Sequence, residues 1–151
     1  MTDTELLTSH ALTVLQVPLD YAEKGVNLTQ AALAGAKQCV LWQHYPANDV
    51  RDPDTGARFF YHAHPLDDAL PGEHGHFHLF DESPRGLHHL AALSLDAQGR
   101  PLRWFTTNRW VTGEQWLPAH AWRKALPRFE VRTRGRLAPV GRWLSAMVQL
   151  H

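Results

Sequence analysis

Histidine recurs at alternate positions in two short runs, first as His62 and His64 and then as His74, His76 and His78. Successive side chains of a strand point to opposite faces, so a spacing of two gathers each set on one side of an extended segment. The intervening residues are Tyr61 and Ala63 in the first run, and Gly75, Phe77 and Leu79 in the second. They read as the core-facing side, and the histidines as the other side. Seven of the chain's eleven histidines fall between His62 and His89, a concentration that points to the chemistry of a site.

The rest of the chain supplies the frame for such strands. Thr2 and Glu5 have the spacing of a capping box, and Leu7, Ala11, Val14 and Leu15 follow at helical intervals up to Pro18, which is expected to close the helix. Asn27 and Gln30 repeat the box, with Leu33, Ala36, Val40 and Leu41 forming a stripe to about His44. Strand-like runs follow near 57–64, 73–80, 88–95 and 101–107, separated by clusters of Pro, Gly, Ser and Asp. Short connections favour an antiparallel meander. A short helix is expected between Pro118 and Pro127, and a last one after Pro139 carrying Val140, Trp143, Leu144, Met147 and Val148. The expected fold is α+β: one domain over residues 1–151, a small antiparallel meander of about four strands with N- and C-terminal helices on one face.

A hairpin loop over residues 65–73 would set His64 opposite His74 and His62 opposite His76, because antiparallel partners keep a constant index sum. His78 then lies one step further along, opposite Phe60. Cross-strand Cβ atoms are about 4.5–5.5 Å apart and same-face neighbours about 6.5–7 Å, distances that imidazoles can bridge to a shared ion. A turn over 81–87 would place His88 opposite Phe80, with Ala92 beside His76 leaving room above the rings. Trp104 would share this face in one register of the last strand, so Trp104 and His88 are candidate cofactor contacts. Glu73 is a further ligand or a loop carboxylate, and its odd position argues against ligation.

Clustered imidazoles repel one another as they protonate, and a bound cation removes that penalty by holding them neutral. Nitrogen-rich sites suit a divalent transition metal such as zinc, iron, copper or nickel. His62, His64, His74, His76 and His78 are therefore the candidate ligands. After the last strand, Asn108, Arg109, Thr112 and Glu114 sit between Trp104, Trp110 and Trp116. Arg109 could clamp a carboxylate or phosphate, and Glu114 could act as general base or orient an imidazole. The alternative for this segment is a turn in which Arg109 pairs with Glu114.

Three resemblances bear on these residues. His74-Gly-His-Phe-His-Leu-Phe80 resembles the signature of histidine-triad nucleotide hydrolases and transferases, which implies a nucleophilic histidine beside a phosphate. The glycine-rich and amide residues that precede the triad in that family are replaced here by 66–73. His62-Ala-His64 followed by Glu73 is similar to the first metal motif of cupins, at a longer interval and without the second motif. Tyr61-His-Ala-His64, Glu73-His-Gly-His-Phe-His78 and Asn108-Arg-Trp-Val-Thr-Gly-Glu114 look like an uncharacterised bacterial family, which implies a shared fold and histidine-rich segment.

Composition narrows the classes. Fifteen basic residues balance fifteen acidic ones, against a nucleic-acid binder driven by net charge. Seven basic residues and one acidic residue lie between Arg123 and Arg142, which reads as a solvated edge or a contact for an anion. The single Cys39 excludes an internal disulfide framework or a thiolate zinc cluster. The acidic start Thr2-Asp-Thr-Glu5 and the short apolar runs lead to the expectation of a cytoplasmic protein without a membrane span. Three readings stay open: a small metalloenzyme acting on a small anionic molecule, a non-catalytic metal- or haem-binding module, and a metal-independent phosphoryl or nucleotidyl hydrolase. A second copy of the chain closing the histidine face, as a homodimer, is compatible with each.

Overall fold

The computed structural model describes residues 2–113 and 115–151, and of Arg109 and Thr112 the backbone alone. It is an α+β fold whose five strands run β1 (Tyr45–Arg51), β2 (Ala57–His62), β3 (Gly75–Ser83), β4 (Gly86–Leu95) and β5 (Pro101–Phe105). They pair antiparallel in sequence order. Helix α5 (Ala138–Leu150) packs against one face of this sheet, and helix α1 (Asp3–Ala22) packs along α5. Between them in sequence lie the short helices α2 (Leu28–Ala32), α3 (Arg109–Thr112) and α4 (Ala119–Ala125).

Two expected helix ends move. Helix α1 begins at the Thr2–Glu5 capping box but runs through Pro18 instead of stopping there. A proline cannot donate to the carbonyl four residues back. Here that carbonyl, Val14 O, accepts from the indole Nε1 of Trp143 on α5 at 3.3 Å, so the missing hydrogen bond is replaced from a neighbouring helix. Helix α2 starts at the Asn27–Gln30 box but ends after one turn. Ala34 and Gly35 adopt left-handed backbone (φ 54° and 93°), and a Cβ on Gly35 would collide with the Arg136 guanidinium. The chain released there forms β1, the fifth strand, in a stretch read from sequence as helix end and loop. Tyr45 fixes its start, its hydroxyl accepting from Val40 N at 2.7 Å and donating to Gln38 O at 3.2 Å.

The core lies between sheet and helices. Phe59, Tyr61, Phe77, Leu79, Leu93 and Leu95 project from the strands against Val140, Trp143, Leu144 and Met147 of α5. Burial of such side chains contributes roughly 1.5–3 kcal/mol each. Each core strand residue alternates with one on the opposite face, and that opposite face carries the histidines. Among the described residues no helix is long and apolar enough to cross a membrane.

Candidate metal centre

The β2–β3 register pairs His62 with His76 and Phe60 with His78, so three imidazoles stand side by side on the face away from the helices. Their ε nitrogens converge. His62 Nε2 lies 2.8 Å from His76 Nε2, His76 Nε2 lies 3.1 Å from His78 Nε2, and His78 Nε2 lies 3.2 Å from His62 Nε2. All three side chains are buried. Gly75 makes this approach possible, because a Cβ there would lie 2.5 Å from His62 O.

Protons cannot satisfy this triangle. A contact between two neutral imidazole nitrogens needs one N–H and one lone pair. Among three mutually adjacent nitrogens at least two are alike, so one edge always sets lone pair against lone pair or hydrogen against hydrogen. A cation accepts all three lone pairs at once. The point about 2.1 Å from each nitrogen, the usual metal–imidazole distance, lies about 1 Å outside their plane. From it the nitrogens subtend about 85–100°, a three-cornered grip that leaves one side open.

The surroundings hold the lone pairs in place. The Glu73 carboxylate accepts from His76 Nδ1 at 2.7 Å, which puts the proton on Nδ1 and frees Nε2. His78 Nδ1 lies 2.9 Å from His89 Nε2. Burial, reinforced by the neighbouring imidazoles, pushes His62 down to about 3, and His78 below the usual histidine range. Burial and then His76 lower His89 to about 4. His62, His78 and His89 are thereby neutral at physiological pH, the form that ligates metals. The residues present therefore fit a divalent transition metal in number and ligand type.

His64 sits at the margin. Its ring centroid lies 4.7 Å from that of His62 and 4.9 Å from that of His76, and it stacks on Trp42 at 4.3 Å. Its Nε2 is buried without a hydrogen-bond partner, as is Glu73 Oε2. Above the imidazoles opens a cavity of about 570 Å³, whose wall includes Phe60, Phe80, Leu87 and Phe105. At one side His44 stacks on Phe60 with ring centroids 3.6 Å apart. Its Nδ1 lies 3.0 Å from Asp49, and Arg58 donates to the same carboxylate at 2.6 and 2.8 Å.

Several expectations are corrected. His74 is not on this face: β3 begins one residue later, and His74 Nδ1 lies 2.8 Å from the Tyr61 hydroxyl. His88 also points elsewhere, its Nδ1 2.8 Å from Gln115 O. The turn after β3 holds only Pro84 and Arg85, and the pairing slips between Leu79 and Phe80. His89 rather than His88 therefore faces Phe80, and Ala92 sits beside His78 rather than His76. Trp104 pairs with Leu93 on the helix-facing side, near His151. Arg109 begins the short helix α3 with its side chain outside the described residues, and Glu114 lies outside them altogether.

Glu73, His89, His44 and Trp42 complete the surroundings without having been singled out as partners of the ligands. For Glu73 the signal was its place three residues before His76, and for His89 its place directly after His88. His44 and Trp42 carried none. With His74 drawn aside and the ε nitrogens of His76 and His78 facing each other, the histidine-triad arrangement is not reproduced. The open five-stranded meander is likewise not the barrel that the cupin likeness implies. A family model described as a domain of unknown function (DUF6969) matches residues 8–151, in keeping with the uncharacterised family that the motifs suggested. No curated protein and no solved structure matches the chain.

Proposed function

The chain belongs to the DUF6969 family, which brings a shared domain and no activity, and we propose from the site itself that it is a small metalloenzyme. Its centre is one divalent transition metal held by His62, His76 and His78. The observation that carries this reading is the triangle of ε nitrogens with edges of 2.8, 3.1 and 3.2 Å. Glu73 orients His76, and His89 orients His78. Three protein nitrogens leave positions for a substrate, the arrangement of catalytic rather than closed structural sites. A metal there supplies Lewis acidity toward water, dioxygen or a substrate oxygen, so the substrate is a small molecule with an anionic or other oxygen donor. The aromatic wall makes the surroundings of the centre apolar, which strengthens the charge interaction between metal and donor.

The test is the elemental content of protein purified without a histidine tag. The expected result is about one metal per chain, lost in a His62→Ala/His76→Ala variant, and at a free metal concentration of about 100 Kd a stabilisation of about 2.7 kcal/mol. Metal-free protein that no divalent ion stabilises would overturn the reading.

His64 favours a second reading. Its buried, unpaired Nε2 beside His62 and His76 would make a fourth ligand after a small ring movement, giving a closed centre for metal handling. Cobalt substitution separates the two. In the first reading His64→Ala leaves the visible cobalt spectrum unchanged; in the second it alters both its intensity and the metal affinity.

A further inference from the structure

The side chains around the cavity divide into those already engaged and those with nothing to do but touch a ligand. Both sides of that division bear on what the cavity takes. Arg58 is the one cationic side chain lining it among the described residues, and its charge is spoken for. Its Nε and Nη2 both rest on Asp49 Oδ2, at 2.8 and 2.6 Å, and its Nη1 lies 4.0 Å from Glu82. Asp49 in turn holds His44, and Glu73 holds His76. Among the described residues, no cation other than a metal at the three nitrogens is left to balance a second negative charge on a ligand. Asp68, at the rim, would repel one.

Apart from the unpartnered His64 Nε2 and Glu73 Oε2 beside the imidazoles, what remains among the described lining residues is apolar. Phe60 and Phe80 are buried in the floor, while Leu70, Leu87 and Phe105 stand half-exposed around it. Val111, at the mouth, is 63% exposed, an apolar surface that gains by being covered. The volume of about 570 Å³ is in the range of small-molecule sites.

Building on the metal reading above, we infer that the substrate is a small molecule of two parts, an oxygen-donor head that binds the metal and an uncharged aromatic or branched apolar body. The head carries the molecule's only negative charge. The body lies along Phe60, Phe80, Leu87 and Phe105, and recognition there is by burial and shape, with no arginine among the described residues free to clamp a tail.

The experiment uses the full chain loaded with cobalt(II), whose visible absorption reports both occupancy and ligand binding. Three hydroxamates serve as probes, with methyl, phenyl and 4-carboxyphenyl bodies. The expected order is benzohydroxamate about 10- to 100-fold tighter than acetohydroxamate, as burial of a phenyl ring implies, with the added carboxylate cancelling most of that gain. Phe80→Ala and Leu87→Ala, made separately, keep the cobalt band and reduce the phenyl preference. Equal binding of acetohydroxamate and benzohydroxamate, with the cobalt band intact, overturns the inference and leaves the metal centre standing. Tightest binding by the carboxylated probe overturns it as well, because it reveals a cation free for a second charge. A chain that shows no cobalt band overturns the metal reading and this inference with it.

Discussion

Acidifying the metal-free protein from pH 7 to pH 5 should cost it a large part of its stability, and the magnitude follows from the buried imidazoles. Unfolded histidine has its ordinary value near 6.5 and takes up a proton over this interval. In the folded chain His62, held at about 3, and His89, held at about 4, do not, and neither does His78, held lower by burial and its neighbours. The unfolded state therefore binds more protons than the folded one. The stability contributed by these groups is present above about pH 6.5 and falls as pH drops toward 4. Each group that must stay neutral loses about 2 kcal/mol between pH 7 and pH 5, so three lose about 5–6 kcal/mol. That is comparable with the whole stability of a small domain, about 5–15 kcal/mol. In urea titrations with EDTA, followed by tryptophan fluorescence, the midpoint at pH 5 should lie about 2 M or more below that at pH 7. Loading with metal should raise the midpoint at pH 7 and steepen its fall, because protons must then also displace the ion. A metal-free midpoint that is the same at both pH values would refute the claim that these rings are buried neutral.

Other substitutions probe the supports of the site and fold. Glu73→Gln removes the carboxylate that fixes the His76 proton, and competition titration should show metal affinity about 10- to 100-fold weaker. Gly75→Ala drives a Cβ to 2.5 Å from His62 O and should cost about 3 kcal/mol in urea unfolding together with metal binding. Trp143→Phe leaves Val14 O without the donor that replaces the one Pro18 lacks, a loss of about 1–3 kcal/mol measured the same way.

The histidine face was legible because two rules suffice for it: alternation assigns the side, and a constant index sum assigns the partner. They give His62 opposite His76 and Phe60 opposite His78, as found. They fail where the ladder is irregular. The two-residue turn at Pro84 and Arg85 exchanges His88 for His89, the slip between Leu79 and Phe80 carries Ala92 to His78, and neither leaves a trace in the hydrophobic pattern. His74 has the same parity as His76, yet the strand starts at Gly75, and beyond a strand end parity no longer fixes direction. Strand β1 was hidden because Pro46, Asn48 and Asp49 break its alternation and its pairing is itself irregular. The length of α1 depended on a tryptophan 125 residues beyond Pro18, a tertiary hydrogen bond that no local window contains.

All three converging nitrogens come from one hairpin, His62 on its first strand and His76 and His78 on its second. Closing a loop this short costs little chain entropy. An ion seized by the nascent hairpin would hold β2 and β3 in register before Trp143 and the rest of α5 have left the ribosome. With the proposed centre filled in this way, the supply of metal during synthesis would bear on how the chain reaches its shape as well as on what the finished protein does.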